Sequence, residues 1–377
     1  MLCLFIFLLD VVCIVLNDTK FSNRYTPSMS SISSLHADQN ILTFSLSSGL
    51  LLHQHIGFND EIIDARLLSF STATSPRDTH LAIATNSSLI KIYDTRTLDA
   101  RLLSGHHDMV LCLDAGSDGT LLASGSKDKS ARIWLPLHHS IPGSAKDSEE
   151  VEWRCAAIAE GHAESIGAIA LSRKNMSGRF MVTGSQDRTV KMWDLAVLPP
   201  TTTISASSAT DALRLKSLMT LKAHEKDINS LDVAPNDRLL VTGSQDKTIN
   251  VYEVDYVPST STKPARGELR LLGTCKGHKR GVWSVKFSKT ERYLASGSGD
   301  KTVRLWSLDD FSCLKVSGKS SIGGEEACLM PSVLTDVRRP YQYCSEGGFH
   351  QSWDAAGQCG VRWLGQTMEY SRRGMRN

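Results

Sequence analysis

Charge of one sign is what this sequence has least of. Forty-two Lys and Arg stand against forty Asp and Glu over 377 residues, a formal net charge of +2. A chain so nearly neutral lacks the overall footprint of a nucleic-acid binder, so any RNA or DNA contact is expected to be local or to come through a partner. The nine cysteines include no Cys-x-x-Cys pair, which argues against a zinc site and against a secreted disulfide framework. Cys112, Cys155, Cys275 and Cys313 lie in apolar, strand-like runs, as reduced core thiols do. His106-His107 and His138-His139 lack the spacing and companions of metal ligands. Gly318-Lys319-Ser320 resembles the end of a phosphate loop, but Cys313 stands where the loop needs its glycine. No cofactor, metal or small-molecule substrate is expected.

Long apolar runs are also scarce. The one at the start, residues 1–16, is broken by Asp10 and is short for a membrane span. No basic residue precedes it and no small-x-small cleavage site follows it. It is read as a start outside the folded unit, and membrane attachment is not expected. A secreted or tethered form would need those 16 residues to be a targeting segment. The Asn-x-Ser/Thr triplets at Asn17, Asn86 and Asn175 do not decide that, because such triplets arise often by chance.

What the chain does have is a repeat. Four segments open on Gly-His or Ala-His, run through an apolar strand, and close on Ser/Thr-Gly-Ser-x-Asp followed by an alternation ending in an aromatic. The closing motifs are SGSKDKSARIW, TGSQDRTVKMW, TGSQDKTINVY and SGSGDKTVRLW. The Ser/Thr lies four residues before the Asp, and the aromatic six after it, in every copy. Such spacing makes room for short strands joined by tight turns, with Gly125, Gly184, Gly243 and Gly297 marking the approach to the turn. It also gathers side chains that can form one buried relay. An indole N–H, a hydroxyl, an imidazole and a carboxylate supply donors and acceptors in the right order.

The repeat resembles the WD-repeat family, which implies an all-β fold: a WD40 β-propeller of four-stranded antiparallel blades. The implied quartets are His106, Ser124, Asp128 and Trp134; His162, Thr183, Asp187 and Trp193; His224, Thr242, Asp246 and Tyr252; and His278, Ser296, Asp300 and Trp306. Tyr252 departs from the family's Trp, which puts its bond to Thr242 in question. A Ser, a His and an Asp together also suggest a hydrolase triad, but a catalytic set occurs once, whereas this one recurs at four equivalent turns. The chain is therefore expected not to be an enzyme.

The His residues are spaced by 56, 62 and 54 residues, against roughly 40–45 in the family. The excess falls after the aromatic, at residues 136–150, 196–211 and 255–267, which read as flexible loops leaving one face. The expected layout is an N-terminal segment 1–39 and a repeat region 40–316, followed by a divergent tail 317–377 for which the pattern offers no fold. The repeat region divides into a degraded blade 56–104 and blades 105–159, 160–222, 223–276 and 277–316. Too few blades are present for the seven usual in the family, so the ring is expected to be incomplete.

Five residues after each His stand Leu111, Gly167, Asn229 and Trp283, at a rim position where partners bind in ordinary blades. Trp283 beside Lys279 and Arg280, with Asn229 in the preceding blade, is the candidate partner site. The competing reading is that Trp283 packs against a neighbouring blade.

Within the family, residues 222–248, 277–287 and 307–316 resemble the WD-repeat subunits associated with U3 small nucleolar RNA. That resemblance implies a nuclear, nucleolar scaffold of the small-subunit processome. Its partners would be other protein subunits, with RNA contact mostly indirect. A WD scaffold of another complex, such as a ubiquitin-ligase substrate receptor, with a cytoplasmic location, is the alternative.

Overall fold

The computed structural model describes residues 61–318, except 73–74, 95–98, 117–118, 120, 140–149, 174–178, 199–211, 260–261 and 290, together with six short strands outside that range. Four of those six, β1 (Val11–Asn17), β2 (Ser31–His36), β3 (Ile41–Ser45) and β4 (Leu51–His55), pair in order as an antiparallel sheet. Two of them fall in the N-terminal segment, for which the sequence offered no fold.

Five blades follow. The first is β5 (Ile62–Thr72), β6 (Ser75–Thr85), β7 (Ile90–Asp94) and β8 (Ala100–Leu103). It lacks the His and Asp of the repeat yet forms a full four-stranded sheet, because its alternating apolar residues still serve both faces. The second is β9 (Val110–Ala115), β10 (Leu122–Ser126), β11 (Ser130–His139) and β12 (Glu150–Glu160). The third is β13 (Ile166–Leu171), β14 (Phe180–Ser185), β15 (Thr189–Asp194) and, past the short β16 (Leu213–Leu215), β17 (Ser217–Lys222). The fourth is β18 (Ile228–Val233), β19 (Leu239–Ser244), β20 (Thr248–Val257) and β21 (Arg266–Lys276). The fifth is β22 (Val282–Phe287), β23 (Tyr293–Ser298), β24 (Thr302–Ser307) and β25 (Cys313–Gly318). The arrangement is a β-propeller of antiparallel four-stranded blades. Residues 330–377 make a separate unit, in which β26 (Gln351–Trp353) pairs with β27 (Cys359–Val361).

The core is a series of layers between blades. Side chains alternate along a strand, so each blade has two apolar faces. Ala123, Ala131 and Ile133 of the second blade pack on Ile166, Met181 and Trp193 of the third. Val182, Val190 and Met192 of the third pack in turn on Ile228, Leu240 and Tyr252 of the fourth. The same layer joins the fourth blade to Val282, Leu294 and Trp306 of the fifth. Trp193 is wholly buried, and truncating such a residue to Ala costs about 3–5 kcal/mol.

The repeat glycines serve these layers rather than the turns. A Cβ on Gly125 would meet Ile166 at 2.7 Å, one on Gly184 would meet Ile228 at 2.8 Å, and one on Gly243 would meet Val282 at 2.9 Å. Each glycine thus lets the inner strand of the next blade approach. The turns themselves carry Lys129, Arg188, Lys247 and Lys301 in the left-handed region, at φ 65–74°.

Two of the three insertions, 136–150 and 255–267, are partly strand rather than loop, and most of the third, residues 199–211, lies outside the described residues. Residues 255–257 and 266–267 extend the β20–β21 hairpin, and the Tyr256 hydroxyl donates to Asp194 Oδ1 at 2.6 Å in the preceding blade. Its ring packs against Phe180, with centroids 5.0 Å apart. From the 196–211 insertion the chain emerges as β16, which pairs in parallel with β12 and gives the second blade a fifth strand. In the remaining insertion β11 runs on to His139, and residues 140–149 lie outside the described residues.

Candidate functional site

Three of the four repeats close their quartet through a turn local to one blade. In the second blade His106 Nδ1 lies 2.8 Å from Asp128 Oδ2, and His106 Nε2 lies 2.8 Å from Ser124 Oγ. Trp134 Nε1 donates to the same Oγ at 2.9 Å. A carboxylate can only accept, so it draws the imidazole proton to Nδ1, leaving Nε2 to accept from the serine. His162, Asp187, Thr183 and Trp193 repeat these bonds at 2.9, 2.8 and 2.9 Å. His278, Asp300, Ser296 and Trp306 do so at 3.0, 2.8 and 2.8 Å.

In the fourth blade the relay stops one member short. His224 binds Asp246 at 2.9 Å and Thr242 at 2.7 Å. Tyr252 instead donates to the Ala223 carbonyl at 3.3 Å, and Asn250 Nδ2 donates to the same carbonyl at 2.8 Å. The Thr242 hydroxyl lies 3.4 Å from the Asn250 carbonyl oxygen. Asn250 stands where the other repeats carry Arg132, Lys191 and Arg304, so the aromatic change comes with a second polar change beside it.

A further hydroxyl, which the quartet pattern does not include, completes each carboxylate. Ser130 Oγ donates to Asp128 Oδ1 at 2.7 Å, and Thr189, Thr248 and Thr302 do the same for their aspartates at 2.6 Å. Backbone N–H groups of His107 and Ser130 add bonds of 3.0 and 2.9 Å to Asp128. Burial works against the charged Asp128 carboxylate, but the bonds from His106, Ser130 and the His107 N–H outweigh it and hold the carboxyl well below the usual range. Asp300 is held low in the same way, with Thr302 the strongest donor. Burial pushes all four quartet imidazoles below the ordinary histidine value, against the pull of their aspartates. The connectivity is that of a Ser-His-Asp triad, yet in three repeats the hydroxyl already accepts from an indole, and Ser124, Thr183 and Thr242 are fully buried. No substrate carbonyl can reach it.

A second network joins the inner strands of successive blades. Asp64 Oδ2 accepts from the Leu113 N–H at 2.9 Å, Asp114 Oδ2 from Leu171 at 2.8 Å and Asp232 Oδ2 from Phe287 at 2.9 Å. Cations bridge these acids. Arg66 pairs with Asp64 at 2.6 Å, and Lys286 with Asp232 at 2.9 Å. Arg173 reaches Asp114 at 3.2 Å and Asp232 at 3.0 Å. The third blade has Ala170 where its neighbours carry Asp114 and Asp232, and Arg173, three residues on, spans the gap. Burial opposes ionisation of Asp114, but Arg173, Lys286 and Arg66 outweigh it and lower its pKa. Period-two alternation with a charge at an inner strand position was the available signal for this ladder.

Trp283 is 52% exposed, and Lys279 and Arg280 near it in the chain are exposed too. The indole lies over Gly299 of its own blade's turn. Asn229 Nδ2 donates to the Val282 carbonyl at 2.8 Å, which brings it to the base of the same strand. Among the described residues no group of three or more His, Cys, Asp or Glu could hold a metal ion. Lys319 and Ser320 of the phosphate-loop-like triplet lie outside the described residues.

Comparison with known proteins fits this geometry. The family profile described as "WD domain, G-beta repeat" matches residues 99–134, 153–194, 215–253 and 269–307. The chain is 41% identical over 253 residues to Transducin beta-like protein 3 of Mus musculus, covering 67% of this chain and 27% of that protein. It is 32% identical over 221 residues to U3 small nucleolar RNA-associated protein 13 of Saccharomyces cerevisiae, covering 56% of this chain and 24% of that one. To the Ribosome biogenesis protein WDR12 homolog of Drosophila yakuba it is 29% identical over 205 residues, covering 54% and 41%. The chain thus spans about a quarter of the length of the first two relatives.

Proposed function

This chain carries four WD repeats of the G-beta type, and from that premise we propose that it is a non-catalytic scaffold of ribosome assembly. It acts in the nucleolus as a protein-binding component of the assembly that forms with U3 small nucleolar RNA, and it supports processing of the precursor of the small-subunit RNA. The observation that carries this reading is the 41% identity over 253 residues with Transducin beta-like protein 3. Relatives over much of the same length bear names from U3 RNA association and ribosome biogenesis. The buried hydroxyls of the quartets support a structural role for these Ser/Thr-His-Asp sets.

Trp283, with Lys279, Arg280 and Asn229 around it, is the partner-binding patch on this reading. An exposed indole flanked by cations is the composition of an interface hot spot rather than of solvated surface. The nucleolar reading is tested by expressing the tagged chain in cells and purifying it under mild salt. Enrichment of U3 RNA and nucleolar localisation are expected. Purification with ubiquitin-ligase subunits and no U3 RNA would overturn it in favour of the other class of WD scaffold.

A further inference from the structure

The second blade shows that the outer edge of a blade in this protein accepts another strand. There β16 lies parallel to β12, with Leu213 opposite Ala157, Arg214 opposite Ile158 and Leu215 opposite Ala159. Leu215 is buried in the layer between the second and third blades. Arg214 forms an exposed ion pair of 2.5 Å with Glu160. The added strand therefore reads apolar–basic–apolar and is matched by an acid at the end of the edge it joins.

The fourth blade offers the same edge without its strand. Ser130 pairs with Glu160 and Thr248 with Lys276, and Ser130 and Thr248 each follow their turn aspartate by two residues. Gly273–Lys276 of β21 is therefore the counterpart of Ala157–Glu160 of β12. Both strands are 11 residues long. The surroundings correspond too. Leu195 and Leu198 pack on the layer at the second blade, and Leu308 and Phe311, at the same distances after the repeat aromatic, pack on the layer at the fourth. Among the described residues no strand pairs with the outer edge of β21. Leu271 and Leu272 on that strand are 54% and 42% exposed. Lys276, where β12 has Glu160, is exposed and makes no ion pair among the described residues. An edge strand that is long, apolar in part and unpaired is a template for strand addition.

We infer that the outer edge of β21 is a docking edge for an extended segment of a partner protein, which joins it as a parallel fifth strand and reads apolar–acidic–apolar. The acid takes the place of Arg214 and meets Lys276, so the charge order of the internal example is reversed. The apolar residues on either side cover Leu271, Leu272 and the layer beneath. This inference does not depend on the ribosome-assembly reading, since any scaffold function can use the edge.

The test uses the full chain and two synthetic peptides of residues 208–219, one unchanged and one carrying Arg214→Glu. Binding is followed by fluorescence polarisation and by hydrogen exchange of the backbone amides. The charge-reversed peptide should slow exchange at residues 271–276 and bind at least about fivefold more tightly than the unchanged one. Lys276→Glu should invert that order, and Lys276→Gln should level it. Both variants lie on the surface, and an unchanged circular dichroism spectrum checks their fold. The inference is overturned if neither peptide protects 271–276, or if the order survives both variants. Protection confined to 157–160 would also overturn it, because the peptide would then be replacing β16. So would protection of 271–276 by a 12-nucleotide single-stranded RNA in place of either peptide.

Discussion

Replacing Asp128 by Ala removes the acceptor on which one whole turn converges. Its carboxylate takes His106 Nδ1–H at 2.8 Å, the His107 N–H at 3.0 Å, and both the N–H and the hydroxyl of Ser130 at 2.9 and 2.7 Å. The His106 side chain is completely buried, so its donor is left with only the Ser130 hydroxyl at 3.4 Å, at a cost of about 1–3 kcal/mol. The His107 N–H lies at the surface and turns to water, whereas Ser130 is buried and its lost bonds add about 1 kcal/mol. The expected loss is therefore about 2–4 kcal/mol. It should appear as faster native-state hydrogen exchange in β9 to β12 and a lower unfolding midpoint. Blades in a repeat array can open one at a time, so exchange resolved by blade is the informative assay. Asp128→Asn keeps an acceptor and should lose about half as much. If Asp128→Ala leaves exchange in the second blade within about 0.5 kcal/mol of the parent, the carboxylate does not hold the turn and the quartet argument fails.

Acid should unfold the protein in two stages. The buried quartet imidazoles have pKa values below the ordinary 6.5, so the unfolded chain takes up protons first and stability falls as pH drops below that value. Asp128 and Asp300 are held below 3.8, so their contribution, fully present above it, is lost on further acidification; a melting temperature flat from pH 7 to 4 would contradict this. Arg173→Ala strips the bridge between Asp114 and Asp232 and leaves two buried acids short of a cation. Removing one partner of such a set costs about 3 kcal/mol, less what Lys286 and Arg66 recover, and a denaturation midpoint equal to the parent's would remove the ladder from the stability argument. Trp283→Ala should leave melting nearly unchanged while weakening co-purification with protein partners by about 2 kcal/mol in affinity. Loss of fold instead would make Trp283 a packing residue.

Which features could be read in advance follows from how far apart in the chain their members stand. The quartets were legible because all four members lie within one blade, between a His and an aromatic under 32 residues away, and a turn of fixed geometry makes that spacing fixed. The blade pattern was legible for the same reason, and even the first blade kept its alternation after losing its His and Asp. The glycines of the repeat were visible but their purpose was not, since what a Cβ would strike, such as Ile166 beside Gly125, belongs to the next blade. Arg173 gave no local sign of its part. Its partners Asp114 and Asp232 lie 59 residues away on either side, and only stacking of the blades brings them to one place. The strand ends of the 255–267 insertion and the strand that follows the 196–211 insertion were missed by the same limit. Leu213–Leu215 is too short to show any period, and Tyr256 sits in a Ser/Thr-rich stretch. Each becomes ordered structure only because the preceding blade presents it with an open edge or a ready acceptor. Local spacing thus decided the blades and their turns, while the contacts between blades decided what joins them.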